Sequence, residues 1–577
     1  MSQFVRIFGR KITFQGLLLA LMLILTFVLV SPDLLPTMPE INPHDETKYI
    51  ASGWELIAGD VREIARGPLL GFIYGLIFLI VGRSVDWFIL SAGLGRMVLY
   101  VILWLSVIRL GSRFKHEFSP LITAGLLFIS TAPIAILKNP SDALFASMSA
   151  FSLSFVLDYY QSRQVRSIWI ASLYLGLASV SRPDGVFLFP FFVVVIGLLS
   201  FHGKQIWRNL PAVFLPAAGI FLAFFLAHGL TTGDYSTQIG SKGYNTLEWA
   251  QHTISGTSFE EGIEQAVDLY GTRAENQGSV FRAILRNPGA YADRIFHNIK
   301  ILPGMILTAY GKKVGPAVFL LALFGIFTLI KKRSFMLIAI LILWPIYGTL
   351  YLGFYIREGF LLLSQFIWFL LATFGLASFF AWSRKISARL ATLLLLLILI
   401  TYSMIDNKPA FLAVGVVILF AVGFTWIVDH YTNFDASQLN TIGLLIALCG
   451  GIILHDDFPF PLTWEVGVSS QEVAVHYLAQ NLASGSVVAS YTPLPAIASR
   501  MNWIDLTKVP GGSDLSALNT WLEENEVSAL VVEPDFIQSR QADWALIEKG
   551  IDRSIRLEMV SDPGSIQIFF VNDEIKP

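Results

Sequence analysis

The sequence predicts a polytopic α-helical membrane protein that ends in a small α/β domain. Of its 577 residues, 54% are hydrophobic and only 14% are charged, whereas a soluble protein carries about 25% charged residues. Apolar stretches near the length of about 20 residues that a membrane span requires recur between residues 14 and 455. Beyond residue 455 the composition becomes that of a soluble domain.

Fourteen apolar segments are candidates for membrane-spanning helices. The first follows a basic N-terminus and resembles a signal peptide, but no small-residue cleavage site follows it. We therefore expect it to be retained as the first helix. The segments are 14–31, 67–82, 85–109, 119–136, 142–160, 166–181, 185–201, 209–230, 314–330, 334–354, 359–382, 390–405, 409–428 and 440–455.

The distribution of basic residues predicts which of these segments cross. Lys and Arg concentrate in short cytoplasmic loops. If segment 67–82 lies in the membrane interface and does not cross, five basic clusters fall on the same side as the basic N-terminus. We therefore expect about 13 transmembrane helices, a cytoplasmic N-terminus and an extracytoplasmic C-terminus. The clusters are Arg109/Arg113/Lys115, Arg163/Arg166, Lys204/Arg208, Lys331/Lys332/Arg333 and Arg384/Lys385/Arg389.

This topology divides the chain into a membrane domain, 1–455, and an extracytoplasmic α/β domain, 456–577. The membrane domain has two large outer loops: 32–84, with its interfacial segment, and the polar, helix-rich 231–313. In the tail, strand-like runs alternate with helix-like ones, which is typical of an α/β fold. The runs are Val487–Ser490, Ala529–Glu533 and Ile566–Val571 for strands, and Gln471–Leu482, Asp514–Asn525 and Gln541–Lys549 for helices.

Charge and cysteine content exclude several functional classes. The net charge of −2 gives no support to nucleic-acid binding. The single cysteine, Cys449, has no partner for an internal disulfide, and no Cys/His cluster has the spacing of a zinc site.

Acidic residues in the outer regions are the first candidates for chemistry. Asp45 and Glu46 lie in a short polar segment between two apolar stretches. Carboxylates in the first turn also stabilise a helix N-terminus, so capping and a functional role both remain open. Asp142 begins a later span on the same predicted face, where it is either a helix-start charge or a second functional acid.

Cations on the same predicted face are the second group. Arg182 precedes a Pro-Asp-Gly turn signature, where it either pairs with Asp184 or serves a site. Arg357 occupies a similar outer position, where it either pairs with Glu358 or serves a site. Lys48 lies one turn beyond the acids, and Arg96 lies about eleven residues into its span. An ionisable group at that depth is a functional candidate or half of a structural pair. Such carboxylates and cations suit group transfer from a phosphate leaving group, with a carboxylate as base and Arg on the phosphate.

Four stretches, in order, resemble motifs of the GT-C-type membrane glycosyltransferases, which include the protein O-mannosyltransferases and the lipid A aminoarabinose transferases. They are HDETKYIASGWELIAGD, RGPLLGFIYGLIFLIVG, ILKNPSDALFASMSAFSLSF and LGLASVSRPDGVFLFP. The later YIREGFLLLSQFIWFLLA resembles the family's Arg-Tyr-Leu-Pro-like motif, but Tyr and Pro are absent after Arg357. The resemblance covers roughly residues 10–380, and the tail resembles the outer α/β domains of bacterial relatives.

The resemblance implies a GT-C-like fold in the plasma (inner) membrane and an inverting glycosyltransferase. The donor would be a polyprenyl-phosphate sugar and the acceptor a lipid, glycan or protein. No cofactor is firmly predicted, and a divalent metal is compatible with the family but not required. The implied catalytic acids are Asp45, as base, with Glu46 and Asp142. The implied phosphate-binding residues are Arg182, which replaces the family's donor-side Lys, and Arg357, with Arg96 and Lys48 as further candidates from the residues themselves.

Two other readings remain at the sequence level. A GT-C-like scaffold that has lost activity and binds partners would share the fold. A transporter or flippase is disfavoured, because no internal repeat is evident and only Arg96 lies near the expected midplane. The transferase reading requires the named acids and cations to meet in one extracytoplasmic pocket.

Overall fold

The structure is a computed structural model of the 577-residue chain. It describes residues 4–7, 10–13, 20, 41, 45–57, 67–82, 87–113, 140–201, 206–232, 239–257, 259–308, 315–343, 351–354, 356, 361–383, 470–509, 515–539, 544–545, 547–548, 555–558 and 566–571.

Most described residues up to 383 are helical. They begin with an antiparallel hairpin of β1 (Phe4–Ile7) and β2 (Arg10–Thr13). The helices that follow are α1 (Asp45–Ile57), α2 (Pro68–Val81), α3 (Trp87–Gly111), α4 (Pro140–Ser162), α5 (Val165–Ser181), α6 (Leu188–Phe201), α7 (Ile206–Thr232), α8 (Ile239–Ser255), α9 (Phe259–Tyr270), α10 (Val280–Arg286), α11 (Pro288–Thr308), α12 (Gly315–Lys331), α13 (Phe335–Leu343) and α14 (Leu362–Ser383).

The predicted apolar segments largely correspond to these helices where the structure describes them; in segment 334–354, α13 covers Phe335–Leu343, and residues 351–354 form a short turn outside it. Among the described residues, three helices are long and apolar enough to cross a membrane: α3, α4 and residues Trp207–Leu230 of α7. Segments 119–136, 390–405, 409–428 and 440–455, and 14–31 apart from Ala20, lie outside the described residues. The expected 13 transmembrane helices therefore stay a prediction.

Close backbone approach joins helices α12 and α14. A Cβ atom on Gly325 of α12 would lie 2.0 Å from the Leu371 carbonyl oxygen of α14, and one on Gly375 of α14 would lie 1.8 Å from that of Leu321. Only glycine allows this packing, which is common between membrane helices because small residues let backbones meet.

The pairing of α5 with α7 depends on one serine. Helix α7 contains Pro211 and Pro216, which cannot donate backbone hydrogen bonds. The Ser172 hydroxyl of α5 donates to the Val213 carbonyl (2.6 Å) and accepts from the Ala217 N–H (3.2 Å). It thereby satisfies backbone groups near the second proline, as apolar surroundings demand.

The predicted outer loop 231–313 is helical, as expected, and consists of α8 to α11. Their shared core contains Tyr244, Leu247, Tyr270 and Ala283. Arg294 of α11 is buried in this group and donates to the Leu247 carbonyl (3.3 Å) and to Gln251 Oε1 (2.7 Å).

The C-terminal region contains a five-stranded sheet. Its strand order is β4-β3-β5-β7-β6, with β4, β3 and β5 parallel and β7 and β6 antiparallel to their neighbours. All residues of the central strand β5 except Ser528 are buried and apolar, as expected of a strand covered on both faces. The elements are α15 (Ser470–Asn481), β3 (Val487–Ser490), α16 (Leu494–Ala498), β4 (Asn502–Asp505), α17 (Leu515–Glu524), β5 (Val527–Val532), α18 (Pro534–Ser539), β6 (Ile555–Glu558) and β7 (Gln567–Val571).

The chain forms two compact units that do not follow its linear order. Unit one comprises residues 1–31, 60–70 and 97–460, and unit two comprises 32–59, 71–96 and 461–577. The α/β region thus shares a unit with two segments from the first hundred residues. The predicted boundary near residue 455 remains a proposal about domain organisation.

Candidate active site

The acidic pair begins helix α1, in unit two. Asp45 and Glu46 occupy its first turn, where the helix dipole favours negative charge. Asp45 is exposed, whereas Glu46 is fully buried. The two neighbouring acids therefore differ in burial: Glu46 is shielded from solvent, whereas Asp45 is exposed to it.

Glu46 forms a buried ion pair with Arg96 of α3. Arg96 Nε lies 2.9 Å from Glu46 Oε1, and Arg96 Nη2 lies 2.8 Å from Glu46 Oε2. Both side chains are at most 2% exposed. This two-bond geometry is the strong form of a carboxylate–guanidinium pair. It brings together two sequence-predicted residues fifty positions apart.

Tyr74 of α2 packs next to this pair. It is fully buried, and its hydroxyl has no hydrogen-bond partner among the described residues. A Cβ on Gly53 of α1 would lie 2.5 Å from Tyr74 Cβ, and a Cβ on Gly95 of α3 would lie 2.4 Å from the Tyr74 ring. The two glycines therefore let α1 approach the backbone of α2 and let the Tyr74 ring pack against α3.

Lys48 also has a defined position in unit two. Its ammonium group lies 4.8 Å from the centre of the Trp503 ring, within cation–π distance. Its predicted contact with a donor phosphate stays a prediction.

The second acidic residue and its cation meet in unit one. Asp142, in the first turn of α4, is buried and forms an ion pair with Arg182. Arg182 retains a side-chain exposure of 14%. The sequence left Asp184 as a candidate partner of Arg182, and the side chain of Asp184 lies outside the described residues.

Arg182 is held at a sharp chain reversal. It ends α5 and precedes a 3₁₀ helix, Pro183–Phe187, which confirms the predicted Pro-Asp-Gly turn. Gly67, just before α2, has φ +85°, and a Cβ there would lie 1.8 Å from the Ser181 carbonyl oxygen. A larger residue at Gly67 would displace the backbone next to Arg182.

The third predicted cation, Arg357, lies outside the described residues together with Glu358. The segment before it, Tyr351–Phe354, is fixed against α11. The buried Asn298 side chain donates to the carbonyl oxygens of Leu352 (2.8 Å) and Phe354 (3.0 Å).

Sequence reasoning did not identify Tyr74 or Asn298. A lone tyrosine within the apolar run of α2 was a usable signal for the first. For Asn298, a single asparagine without a surrounding motif gave no usable signal. Among the described residues, no group of three or more His, Cys, Asp or Glu side chains could hold a metal ion.

The Glu46–Arg96 pair and the Asp142–Arg182 pair favour different chemical roles for the residues around them. An exposed carboxylate next to a clamped one can accept a proton while its backbone is held in place. A guanidinium whose orientation is set by a buried carboxylate can bind a phosphate with little loss of side-chain freedom.

The fold of this chain is similar to that of several solved structures. ArnT from Cupriavidus metallidurans, a lipid A aminoarabinose transferase, matches with a TM-score of 0.51 at 12% identity over 97% of this chain and 98% of its own, and has been solved with undecaprenyl phosphate. The oligosaccharyltransferase AglB from Archaeoglobus fulgidus, solved with an inhibitory peptide and a dolichol-phosphate, matches with a TM-score of 0.53 at 13% identity over 98% of this chain and 75% of its own. The chain has the GT-C fold.

The fold likeness confirms the resemblance that the four sequence motifs predicted, because both proteins are GT-C membrane glycosyltransferases. Neither a family model nor a curated protein sequence matches this GT-C chain. The GT-C fold and the three long apolar helices indicate a membrane location.

Proposed function

We propose that this GT-C protein transfers a sugar from a polyprenyl-phosphate donor to an acceptor hydroxyl, with Asp45 as the base. The exposed Asp45 carboxylate beside the buried, Arg96-bound Glu46 carries the proposal. Support for the donor class comes from the structural neighbours that bind undecaprenyl phosphate and dolichol-phosphate.

In the proposed reaction, Asp45 accepts the proton of the acceptor hydroxyl. The hydroxyl oxygen attacks the anomeric carbon on the face opposite the phosphate, and the bond between that carbon and the phosphate oxygen breaks. The electron pair leaves with the polyprenyl phosphate, so the anomeric configuration is inverted. A positioned base contributes about 10²–10⁴-fold to such a step.

Arg182 and Arg357 are proposed to contact the donor phosphate. The partial exposure of Arg182 and its pairing with buried Asp142 support this role. Asp142 then orients the guanidinium and does not itself transfer a proton, since it is buried.

We propose that Glu46 and Arg96 position Asp45 and do not contact the substrate. Their mutual pairing leaves both side chains buried, so neither side chain offers a surface to substrate. They hold the first turn of α1, and with it Asp45. This assigns Arg96 a structural pairing in place of the phosphate contact that its sequence position suggested.

The proposed location is the plasma membrane, with the N-terminus cytoplasmic, about 13 transmembrane helices and the α/β domain extracytoplasmic. The alternation of basic clusters supports this topology. The acceptor is a lipid, glycan or protein hydroxyl on the extracytoplasmic face.

The test is sugar transfer by the purified full-length protein in proteoliposomes, with a panel of polyprenyl-phosphate sugars. We expect one donor to be consumed, and Asp45→Asn to lower the transfer rate by about 10²–10⁴-fold, because the amide cannot accept the proton. The matched control is Glu55→Gln, which neutralises another acid of the same helix.

Full activity in the Asp45→Asn variant would rule out Asp45 as the base. Absence of transfer with every donor, in a protein that still binds polyprenyl phosphate, would favour the inactive scaffold. Movement of an intact lipid-linked sugar between leaflets without transfer would favour the flippase.

A further inference from the structure

The α/β region contacts helix α1 directly. Unit two places the corner between α16 and β4 next to α1 and the start of α3. Lys48 of α1 lies over Trp503 of β4, 4.8 Å from its ring centre. The indole N–H of Trp87, at the start of α3, donates to the Ala498 carbonyl at 3.2 Å, joining residues 411 positions apart.

Arg500 contributes the most specific of these contacts. Its guanidinium carbon lies 5.7 Å from the Trp54 ring centre and 5.4 Å from that of Trp87, and the two ring centres are 5.5 Å apart. The three groups form a nearly equilateral triangle. Trp54 belongs to α1 and lies two and a half turns after Asp45. The Arg500 guanidinium therefore contacts the helix that carries the acidic pair.

The backbone at Arg500 makes this arrangement unusual. Arg500 follows α16 at φ +64°, in the left-handed region that terminates many helices. The Met501 N–H donates to the Ala496 carbonyl at 2.8 Å, the bond pattern of such a terminus. Glycine suits this position best. Arg500 is one of five described non-glycine residues with positive φ, and what distinguishes it is the contact of its side chain with Trp54 and Trp87.

Resting on the proposed function, we propose that Arg500 is a positioning residue, through which the α/β domain holds helix α1 and thereby Asp45. The guanidinium restrains Trp54 from one side, while Tyr74 supports Gly53 from α2. In this proposal the α/β domain contributes to catalysis by positioning the helix that carries the base.

The test compares Arg500→Gly, Arg500→Lys and Glu526→Gly in the full-length protein in lipid nanodiscs. Arg500→Gly removes the side chain and also relieves the left-handed backbone, so the domain stays folded. Glu526 is exposed and has φ +50° in the same domain, so Glu526→Gly is the matched control for the backbone change. Arg500→Lys keeps a cation that can reach both rings.

Two measurements are made on each variant. Hydrogen exchange followed by mass spectrometry reports the mobility of α1, with α17 as the check that the domain is folded. We expect Arg500→Gly to accelerate exchange in α1 by about 5- to 30-fold, with α17 unchanged. Sugar transfer should show kcat lowered by about 10- to 100-fold with the donor KM changed less than about twofold. Arg500→Lys and Glu526→Gly should resemble the wild type.

Unchanged exchange of α1 in Arg500→Gly would overturn the inference. So would faster exchange of α1 with an unchanged kcat. If the wild type transfers no sugar, the proposed function fails, and the exchange data alone still decide whether Arg500 holds α1.

Discussion

At the scale of single residues, the first turn of α1 separates two adjacent carboxylates by environment. Glu46 is fully buried and bound to Arg96 through both of its oxygens, whereas Asp45 faces outward. In the proposed reaction, the buried Glu46–Arg96 pair keeps the first turn of α1 in place, and the neighbouring Asp45 acts as the base.

Replacing Arg182 should affect donor use more than acceptor use. Arg182→Ala is expected to raise the donor KM by about 10- to 100-fold, because a hydrogen bond to a charged group contributes about 1.5–3 kcal/mol. Transfer kinetics with donor and acceptor varied separately provide the measurement. Arg166→Ala, at the exposed opposite end of α5, is the control. An unchanged donor KM would count against the phosphate contact.

Breaking the Glu46–Arg96 pair should destabilise the protein. Arg96→Met leaves the Glu46 carboxylate buried without its cation, and the expected loss in free energy of unfolding is about 3–5 kcal/mol. Unfolding in detergent micelles measures it. The double variant Glu46→Met/Arg96→Met should recover most of the loss, since no uncompensated charge remains. Equal instability of the single and double variants would contradict this account.

At the scale of elements, glycines decide how α1, α2 and α3 approach one another. Gly53 of α1 meets the Cβ atom and the backbone of Tyr74, whereas Gly95 of α3 meets its ring. Helix α2 therefore contacts both helices through Tyr74, and the Glu46–Arg96 pair joins α1 to α3 directly.

A methyl group at Gly53 should separate these helices. Gly53→Ala would place its Cβ 2.5 Å from Tyr74 Cβ and 2.8 Å from the Gly75 nitrogen, and such overpacking costs about 1–3 kcal/mol. Thermal unfolding and transfer rate should both fall. Gly197→Ala in α6 has no atom within 4 Å of its new Cβ, so it should be neutral or stabilising by up to about 1 kcal/mol. A neutral Gly53→Ala would be incompatible with this packing.

The sequence predicted elements more completely than contacts. Apolar runs encode helices locally, so segments 85–109, 142–160 and 166–181 correspond closely to α3, α4 and α5. Strands β4 and β6 were missed, because each is four residues long and carries polar or charged side chains. Their strand character depends on neighbours that lie far away in the chain.

For the candidate site, too, the sequence identified individual residues but did not predict which residues distant in the chain pair with each other. Residue type and position identified Asp45, Glu46, Asp142, Arg96 and Arg182, but not which acid pairs with which cation. Glu46 meets Arg96 across fifty positions. The contacts that Arg500 makes with Trp54 had no local signal, since arginine at a helix terminus is ordinarily solvated.

At the scale of the whole molecule, stability should depend on pH through helices α8 to α11. Burial raises the pKa of Glu248 of α8 above its ordinary value, and Arg273 partly opposes the shift. A carboxyl group whose pKa is higher in the folded protein stabilises the fold when protonated, and this contribution is lost as pH rises through the folded pKa. Ionised Glu248 is therefore unfavourable at neutral pH.

Glu248→Gln should accordingly raise the melting temperature at pH 7, with a smaller gain near pH 4. Melting curves of the full-length protein between pH 4 and pH 7 provide the measurement. Glu264→Gln, which changes an exposed acid of α9, should leave the pH profile unaltered. A gain that is the same at both pH values would argue against burial of the Glu248 carboxyl group as the cause.

The discontinuous make-up of unit two has a consequence for biogenesis. Its pieces come from residues 32–59, 71–96 and 461–577, and the Trp87–Ala498 hydrogen bond joins the first sixth of the chain to the last. During synthesis, α1 leaves the ribosome long before the C-terminal segment that contacts it has been made. If Arg500 holds α1 as proposed, a nascent or prematurely terminated chain would carry α1 without that contact, and the proposed transferase activity would be acquired only after translation has finished.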